Sequence, residues 1–300
     1  SATTHRVAVG HDNRLSSESL AAAVADGLIA SGVDVVAVGM VPTPVLYFAA
    51  EYFQTDGAIQ VTGSHNPPEY NGFKLSVGGR SLYGEAIQEL RALIERDDFE
   101  NGEGTRIEQP ILDRYVEFLA RRFPVERPLT VVVDCGNGTG SVVAVDLLRA
   151  LGPNLTVFPL YCESDGTFPN HHPDPVVDAN LADLRARVRE TGADLGIAFD
   201  GDADRIGAID ENGEIVRGDL LLLLFALDLI ERRGPGQKIV FDVKCSQVLP
   251  EVIQSAGGIP VMSATGHSLI KERMKQENAL LAGELSGHIC FGEDYFGFDD

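Results

Sequence analysis

The sequence predicts three α/β units in tandem, each a parallel sheet covered by helices on both faces. A pattern of strand, turn, helix and strand recurs three times along the 300 residues. That length exceeds one domain of roughly 100–200 residues. A composition 44% apolar and 23% charged suits a chain able to bury a sizeable core in each unit.

The elements follow in order. Each unit opens on a short β-branched run: Val7-Ala8-Val9, Val131-Val132-Val133 and Ile239-Val240-Phe241. A polar or glycine-containing turn comes next, then a stretch with apolar residues at helical spacing, over 19–31, 141–151 and 247–256. Second strands follow at 33–38, 155–159 and 259–262, and after a further helical segment third strands at 57–61, 195–199 and 280–282. Strands alternating with helices imply parallel sheets. Boundaries are expected near 107–113, where Pro110 follows Asn-Gly-Glu-Gly, and near 212–217, at an Asn-Gly turn between short strands. The units are therefore placed at 1–110, 111–214 and 215–300. The run Phe296-Gly297-Phe298-Asp299-Asp300 stops abruptly, so the third unit is expected to be cut short.

Charge and composition exclude several classes. A formal charge of −21 argues against nucleic acid, whose phosphates require clustered Lys and Arg. It leaves room for a phosphorylated small molecule held in a local cationic or metal-lined pocket. Cys135, Cys162, Cys245 and Cys290 are scattered without metal or disulfide spacing, which suits free thiols in a reducing compartment. The longest apolar run, 220–227, is far short of the ~20 residues of a membrane helix. The N-terminal residues carry no apolar signal-peptide core, and a cytoplasmic location is expected.

Ligands of open α/β sheets bind at the carboxyl ends of strands, so the loops after the third strands carry the chemistry. The first is Thr62-Gly63-Ser64-His65-Asn66-Pro67-Pro68. Its serine is exposed beside a glycine, His65 and Asn66 can bond an incoming oxyanion, and Lys74 can supply a cation or a base. Taken alone it is also an ordinary Ser/Asn/Pro turn. The second is Asp200-Gly201-Asp202-Ala203-Asp204-Arg205. Alternating carboxylates on an extended loop point to one side and can converge on a hard cation, leaving octahedral positions for phosphate and water. Glu211 falls at position twelve from Asp200, as in a calcium loop, but Arg205 occupies the sixth position where glycine is required, and a strand precedes the loop instead of a helix. The third is Gly283-Glu284-Leu285-Ser286-Gly287-His288, a carboxylate and a hydroxyl two residues apart that suit sugar hydroxyls, though a plain polar turn fits as well. Lys244 and His267 lie after other strands of the same unit. Gly136-Asn137-Gly138-Thr139-Gly140-Ser141 lacks the lysine and spacing of a nucleotide loop and is read as a tight structural turn.

Together these loops, in this order, closely resemble those of the α-D-phosphohexomutases, in particular the bacterial phosphomannomutase/phosphoglucomutase group. Val41-Pro42-Thr43-Pro44, Asn170-His171-His172-Pro173-Asp174-Pro175 and Phe241-Asp242-Val243-Lys244-Cys245 extend the resemblance over nearly the whole chain. It implies tandem units with mixed or parallel sheets of the phosphohexomutase type. It further implies that Ser64 is a phosphoserine, that Asp200, Asp202 and Asp204 bind Mg²⁺ with Ser64 beside it, and that Arg205 holds the transferring phosphate. His65 or Lys74 would move protons. Glu284 and Ser286 would grip sugar hydroxyls, and Lys244, His267 and His288 would line the cleft. The implied reaction moves phosphate between the 1- and 6-positions of a mannose or glucose phosphate, with the hexose 1,6-bisphosphate as activator. A sugar phosphatase and an idle phosphosugar-binding fragment are the alternatives. The family's N-terminal segment and fourth, phosphate-clamping domain have no counterpart in the sequence, so low turnover is expected of this chain.

Overall fold

The structure, a computed structural model, describes residues 5–293 and 295–299. The N-terminal reading of residues 1–4 and the final residue of the abrupt terminus lie outside the described residues.

The first sheet contains β1 (Arg6–His11), β2 (Asp34–Met40), β3 (Gly57–Val61), β4 (Phe73–Val77), β5 (Arg80–Ser81) and β6 (Arg106–Glu108), in the order β5-β4-β3-β1-β2-β6. Its helices are α1 (Ser17–Ala30), α2 (Thr43–Phe53) and α3 (Glu85–Glu95), and α4 (Leu112–Arg122) leads out of it. The second sheet contains β7 (Leu129–Asp134), β8 (Leu155–Leu160), β9 (Leu195–Phe199), β10 (Ile206–Asp210) and β11 (Ile215–Val216), ordered β11-β10-β9-β7-β8, with α5 (Ala144–Ala150) and α6 (Ala182–Thr191). After α7 (Gly218–Arg233), the third contains β12 (Lys238–Asp242), β13 (Ile259–Ser263), β14 (Leu281–Gly283), β15 (Ile289–Phe291) and β16 (Phe298–Asp299), ordered β13-β12-β14-β15-β16, with α8 (Val248–Ser255) and α9 (His267–Glu277).

The same topology is thus written three times. In each unit the first strand is central, with the second and third strands parallel to it on either side. A return strand then pairs antiparallel with the third. The sheets are therefore mixed. Of the return strands, β4 alternates clearly over Phe73-Lys74-Leu75-Ser76-Val77, whereas β10 (Ile206–Asp210) has no regular alternation and β15 has only three residues. The helix expected over 141–151 is also broken: a 3₁₀ turn at Thr139–Val142 precedes α5, because Val143 leaves helical geometry at φ −144°.

Helices cover both faces of the sheets. In the first unit α1 packs on one face through Ala21 and Ala25, and α2 on the other through Val45, Leu46 and Phe48. Phe48 also meets Tyr115 and Phe118 of α4, so the first two units share a core. Burying an aromatic of this size stabilises by about 1.5–3 kcal/mol. α7 and α8 cover one face of the third sheet, α9 the other. Among the described residues no helix is long and apolar enough to cross a membrane.

Candidate active site

The three chemistry-bearing loops occupy equivalent places, each linking the third parallel strand of its unit to the antiparallel return strand. The folding pattern therefore delivers all three to the carboxyl edges of their sheets.

Ser64 stands just beyond β3 with φ +47°, a left-handed conformation that costs a non-glycine residue about 1–3 kcal/mol and persists only where its surroundings impose it. Its surroundings do so. The buried Arg14 guanidinium donates to the carbonyls of Ser64 (2.7 Å), Asn66 (2.6 Å), Pro67 (2.5 Å) and Tyr70 (3.0 Å). Asp12, also buried, accepts from Thr62 Oγ1 at 2.8 Å, from the Gly63 N–H at 3.0 Å and from Arg14 Nε at 3.1 Å. Gly63 is required here, because a Cβ would sit 2.5 Å from the guanidinium carbon. Asp12 and Arg14 escaped the sequence reading, since a guanidinium folding back onto a loop fifty residues away leaves no local pattern.

Ser64 Oγ donates to Asp200 Oδ2 at 2.8 Å and lies 3.2 Å from His65 Nδ1. The two loops also touch through backbone, since a Cβ at Gly201 would collide with the Ser64 carbonyl oxygen. Thr139 N and Oγ1 both donate to the Gly201 carbonyl, at 2.9 and 2.8 Å, so the glycine-rich turn before α5 is a structural support for the carboxylate loop.

Asp200, Asp202 and Asp204 are all buried, and one oxygen from each lies within 4.8 Å of the others. Thr43 at the start of α2 donates to Asp202 Oδ2 at 2.5 Å, tying the second unit to the first. Lys74 Nζ, from β4, meets Asp202 Oδ2 at 2.6 Å and also pairs with Asp204. Burial opposes the Lys74 charge, but Asp202 and Asp204 overcome it and push its pKa well up. Burial, reinforced by the charges of Asp202 and Asp204, raises Asp200 well above the carboxylate range. Burial acts the same way on Asp202, yet Lys74 outweighs it and keeps that group ionised.

A divalent cation fits this donor set. Asp202 Oδ1 and Asp204 Oδ1 are buried without a hydrogen-bond partner among the described residues, and hard oxygen donors are what Mg²⁺ requires. A second positive charge beside Asp200 would also reverse the repulsion that favours its proton.

The third loop closes on the same place. Arg205 Nε donates to His288 Nε2 at 3.0 Å. A guanidinium only donates, so Nε2 accepts and the imidazole proton resides on Nδ1, 3.8 Å from Asp204 Oδ1. His267, at the start of α9, stacks on His288 with centroids 5.3 Å apart. Glu284 is buried; its Oε1 accepts from the Gly266 N–H at 2.5 Å and its Oε2 from Ser286 Oγ at 2.9 Å. Lys244 is exposed on the turn after β12. Burial, with help from Arg205, lowers the His65 pKa and favours its neutral form.

Fold and site together define a class: a three-unit α/β protein whose serine faces a buried carboxylate triad across a unit boundary. Residues 1–101, 113–213 and 217–300 match the family profiles described as phosphoglucomutase/phosphomannomutase alpha/beta/alpha domains I, II and III. The chain belongs to the phosphoglucomutase/phosphomannomutase family. It is 52% identical over 294 residues to a phosphomannomutase/phosphoglucomutase of Pseudomonas aeruginosa, covering 98% of this chain and 63% of that protein. It is 47% identical over 297 residues to a phosphoglucomutase of Neisseria gonorrhoeae, covering 98% of this chain and 64% of that one. A solved phosphoglucomutase/phosphomannomutase family protein from Burkholderia thailandensis superposes with a TM-score of 0.94 at 45% identity, covering 99% of this chain and 66% of that one. The chain thus spans a little under two thirds of the length of the curated relatives it matches.

Proposed function

We propose that this chain carries the serine, metal and sugar loops of a phosphohexomutase acting on mannose or glucose phosphates. The observation that carries the reading is the position of Ser64 Oγ, half-buried and 2.8 Å from a buried carboxylate of the triad. The names of the relatives, phosphomannomutase and phosphoglucomutase, support the substrate class.

Phosphoryl transfer depends on in-line positioning and charge neutralisation. Asp200, Asp202 and Asp204, with Ser64, would hold Mg²⁺, which when bound supplies positive charge beside the transferring group. Arg205 holds the phosphate and Lys74 adds a fixed cation. The activator, glucose or mannose 1,6-bisphosphate, places the phosphoryl group on Ser64. Phosphoserine then gives it to O1 or O6 of a hexose phosphate: the Ser64 O–P bond breaks as the sugar O–P bond forms. The sugar hydroxyl's proton passes through neutral His65 to Ser64 Oγ. The bisphosphate turns over and the other phosphate returns to Ser64 by the reverse movement. Glu284 and Ser286 orient the sugar hydroxyls, while Lys244, His267 and His288 line the cleft. We assign the units to 1–110, 111–214 and 215–300, and the reaction to the cytoplasm, where the free thiols are at home.

The test follows hexose 1-phosphate conversion to the 6-phosphate alongside release of inorganic phosphate. The reading predicts isomerisation that needs Mg²⁺ and bisphosphate and vanishes in Ser64→Ala. Phosphate release exceeding isomerisation would favour a phosphatase, and binding without either reaction a phosphosugar-binding module.

A further inference from the structure

We propose that Cys135 and Cys162 form a redox dithiol, a modification site at which a peroxide converts two free thiols into a disulfide. They are 27 residues apart in sequence and look unrelated there. The parallel pairing of β7 with β8 sets Asp134 opposite Leu160, and both cysteines emerge just past that register. The Cys135 N–H donates to the Leu160 carbonyl at 3.2 Å, and the two sulfurs lie 3.0 Å apart. A disulfide needs about 2.05 Å between sulfurs. Closure therefore asks for a displacement of about an ångström, shared between two loops that begin where their strands end.

The two sulfurs differ in access. Cys135 is fully buried. Cys162 borders a polar cavity of about 500 Å³ lined also by Asn137, Asp146, Tyr161, Glu163 and Asn170, wide enough for a small oxidant. The hydrogen bond the two sulfurs share draws the Cys162 thiol below its ordinary value despite burial, and the same bond together with burial pushes Cys135 up. That is the arrangement of an accessible attacking sulfur with a sheltered resolving partner. The other two thiols do not share it: Cys245 is bonded to Asp242 and pushed well up by burial, and Cys290 is buried in the third unit.

The reaction balances with hydrogen peroxide as the two-electron oxidant. The Cys162 thiolate attacks one peroxide oxygen: an S–O bond forms, the O–O bond breaks, and the departing hydroxide takes up a proton as water. The Cys135 sulfur then attacks the sulfenyl sulfur; the S–S bond forms, the S–O bond breaks, and the Cys135 proton leaves with the hydroxyl as a second water. Both sulfurs root loops next to the carboxylate loop. Cys135 leads into the turn whose Thr139 holds the Gly201 carbonyl, and Asn137 of that turn bonds the Tyr161 and Glu163 carbonyls flanking Cys162.

The test treats the folded 300-residue chain with a small excess of hydrogen peroxide, blocks remaining thiols by alkylation, digests without reductant and maps the peptides by mass. The expected result is a Cys135–Cys162 linked pair, released by dithiothreitol, under conditions where Cys245 and Cys290 are still alkylated. Cys162→Ser should lose the link while Cys245→Ser keeps it. If the serine variant does not fold, the wild-type map decides alone. Sulfinic acid on Cys162 with Cys135 alkylated, a link to another cysteine, or two unreacted thiols would each overturn the proposal.

Discussion

One guanidinium donating to four carbonyls between Ser64 and Tyr70 fixes the backbone on which Ser64 stands. Lysine at that position keeps the charge but offers a point cation in place of a planar fork, and cannot serve the same carbonyls together. Misplacing a reacting atom by about an ångström costs on the order of 100-fold. Arg14→Lys is therefore expected to lower kcat by roughly 10–100-fold with KM little changed; an unaltered kcat would show that Ser64 holds its conformation without the fork. The carboxylate triad makes an equally specific demand. At about 100 times its Kd a bound cation stabilises the fold by ~2.7 kcal/mol. Mg²⁺ is expected to raise the melting temperature of the wild type and to leave that of Asp202→Asn nearly unmoved, as calorimetry would register. The three Asp residues were legible in sequence because their spacing itself states the chemistry. Asp12, Arg14 and Thr43 were not, because their partners lie on other loops and, for Thr43, in another unit.

At the scale of elements, the parallel strands and their crossover helices were legible from β-branched runs alternating with helical periodicity, and β10 and β11 from the Asn-Gly turn between them, but the return strands β4 and β15 were not read. β15 has three residues, too few to display a period, while β4 does alternate over Phe73-Lys74-Leu75-Ser76-Val77 and was passed over. Yet these returns anchor the far end of each loop, and β4 brings Lys74 beneath the carboxylates. The loop between β8 and the turn at 178–181 is held by another pair. His171 Nε2 lies 3.0 Å from the buried Asp134 at the end of β7. Burial disfavours the imidazolium, but the bond to Asp134 outweighs it and raises the His171 pKa. A histidine pKa raised on folding contributes stability that is fully present below the unfolded value of ~6.5 and is lost as pH rises through the folded value. The stability gap between wild type and His171→Gln should accordingly be wider at pH 5.5 than at pH 8.5 by denaturant titration. A gap independent of pH would mean that the pair contributes only as a neutral hydrogen bond.

Across the whole molecule the repeated topology divides the labour. The first unit presents the serine, the second the carboxylates, the third the Glu284–Ser286 loop, and Arg205 meeting His288 joins the last two. If the division holds, Glu284→Gln should raise the KM for hexose phosphate about tenfold, the loss of one hydrogen bond to a charged group at ~1.5 kcal/mol or more. The Mg²⁺-induced shift in melting temperature should survive, since the carboxylates belong to another unit; loss of both would mean that the loops act as one body. The order of the loops was visible in sequence, whereas their convergence was implied only by the family resemblance and not by spacing, because contacts between units follow from packing such as Phe48 on α4. The claim on which the rest depends is that Ser64 accepts the phosphoryl group. It is tested most directly by intact mass after incubation with glucose 1,6-bisphosphate and Mg²⁺, with Ser64→Ala alongside. The account predicts that the wild type gains one phosphoryl group and the variant none; equal gain by both, or no gain by folded, metal-bound wild type, would contradict it.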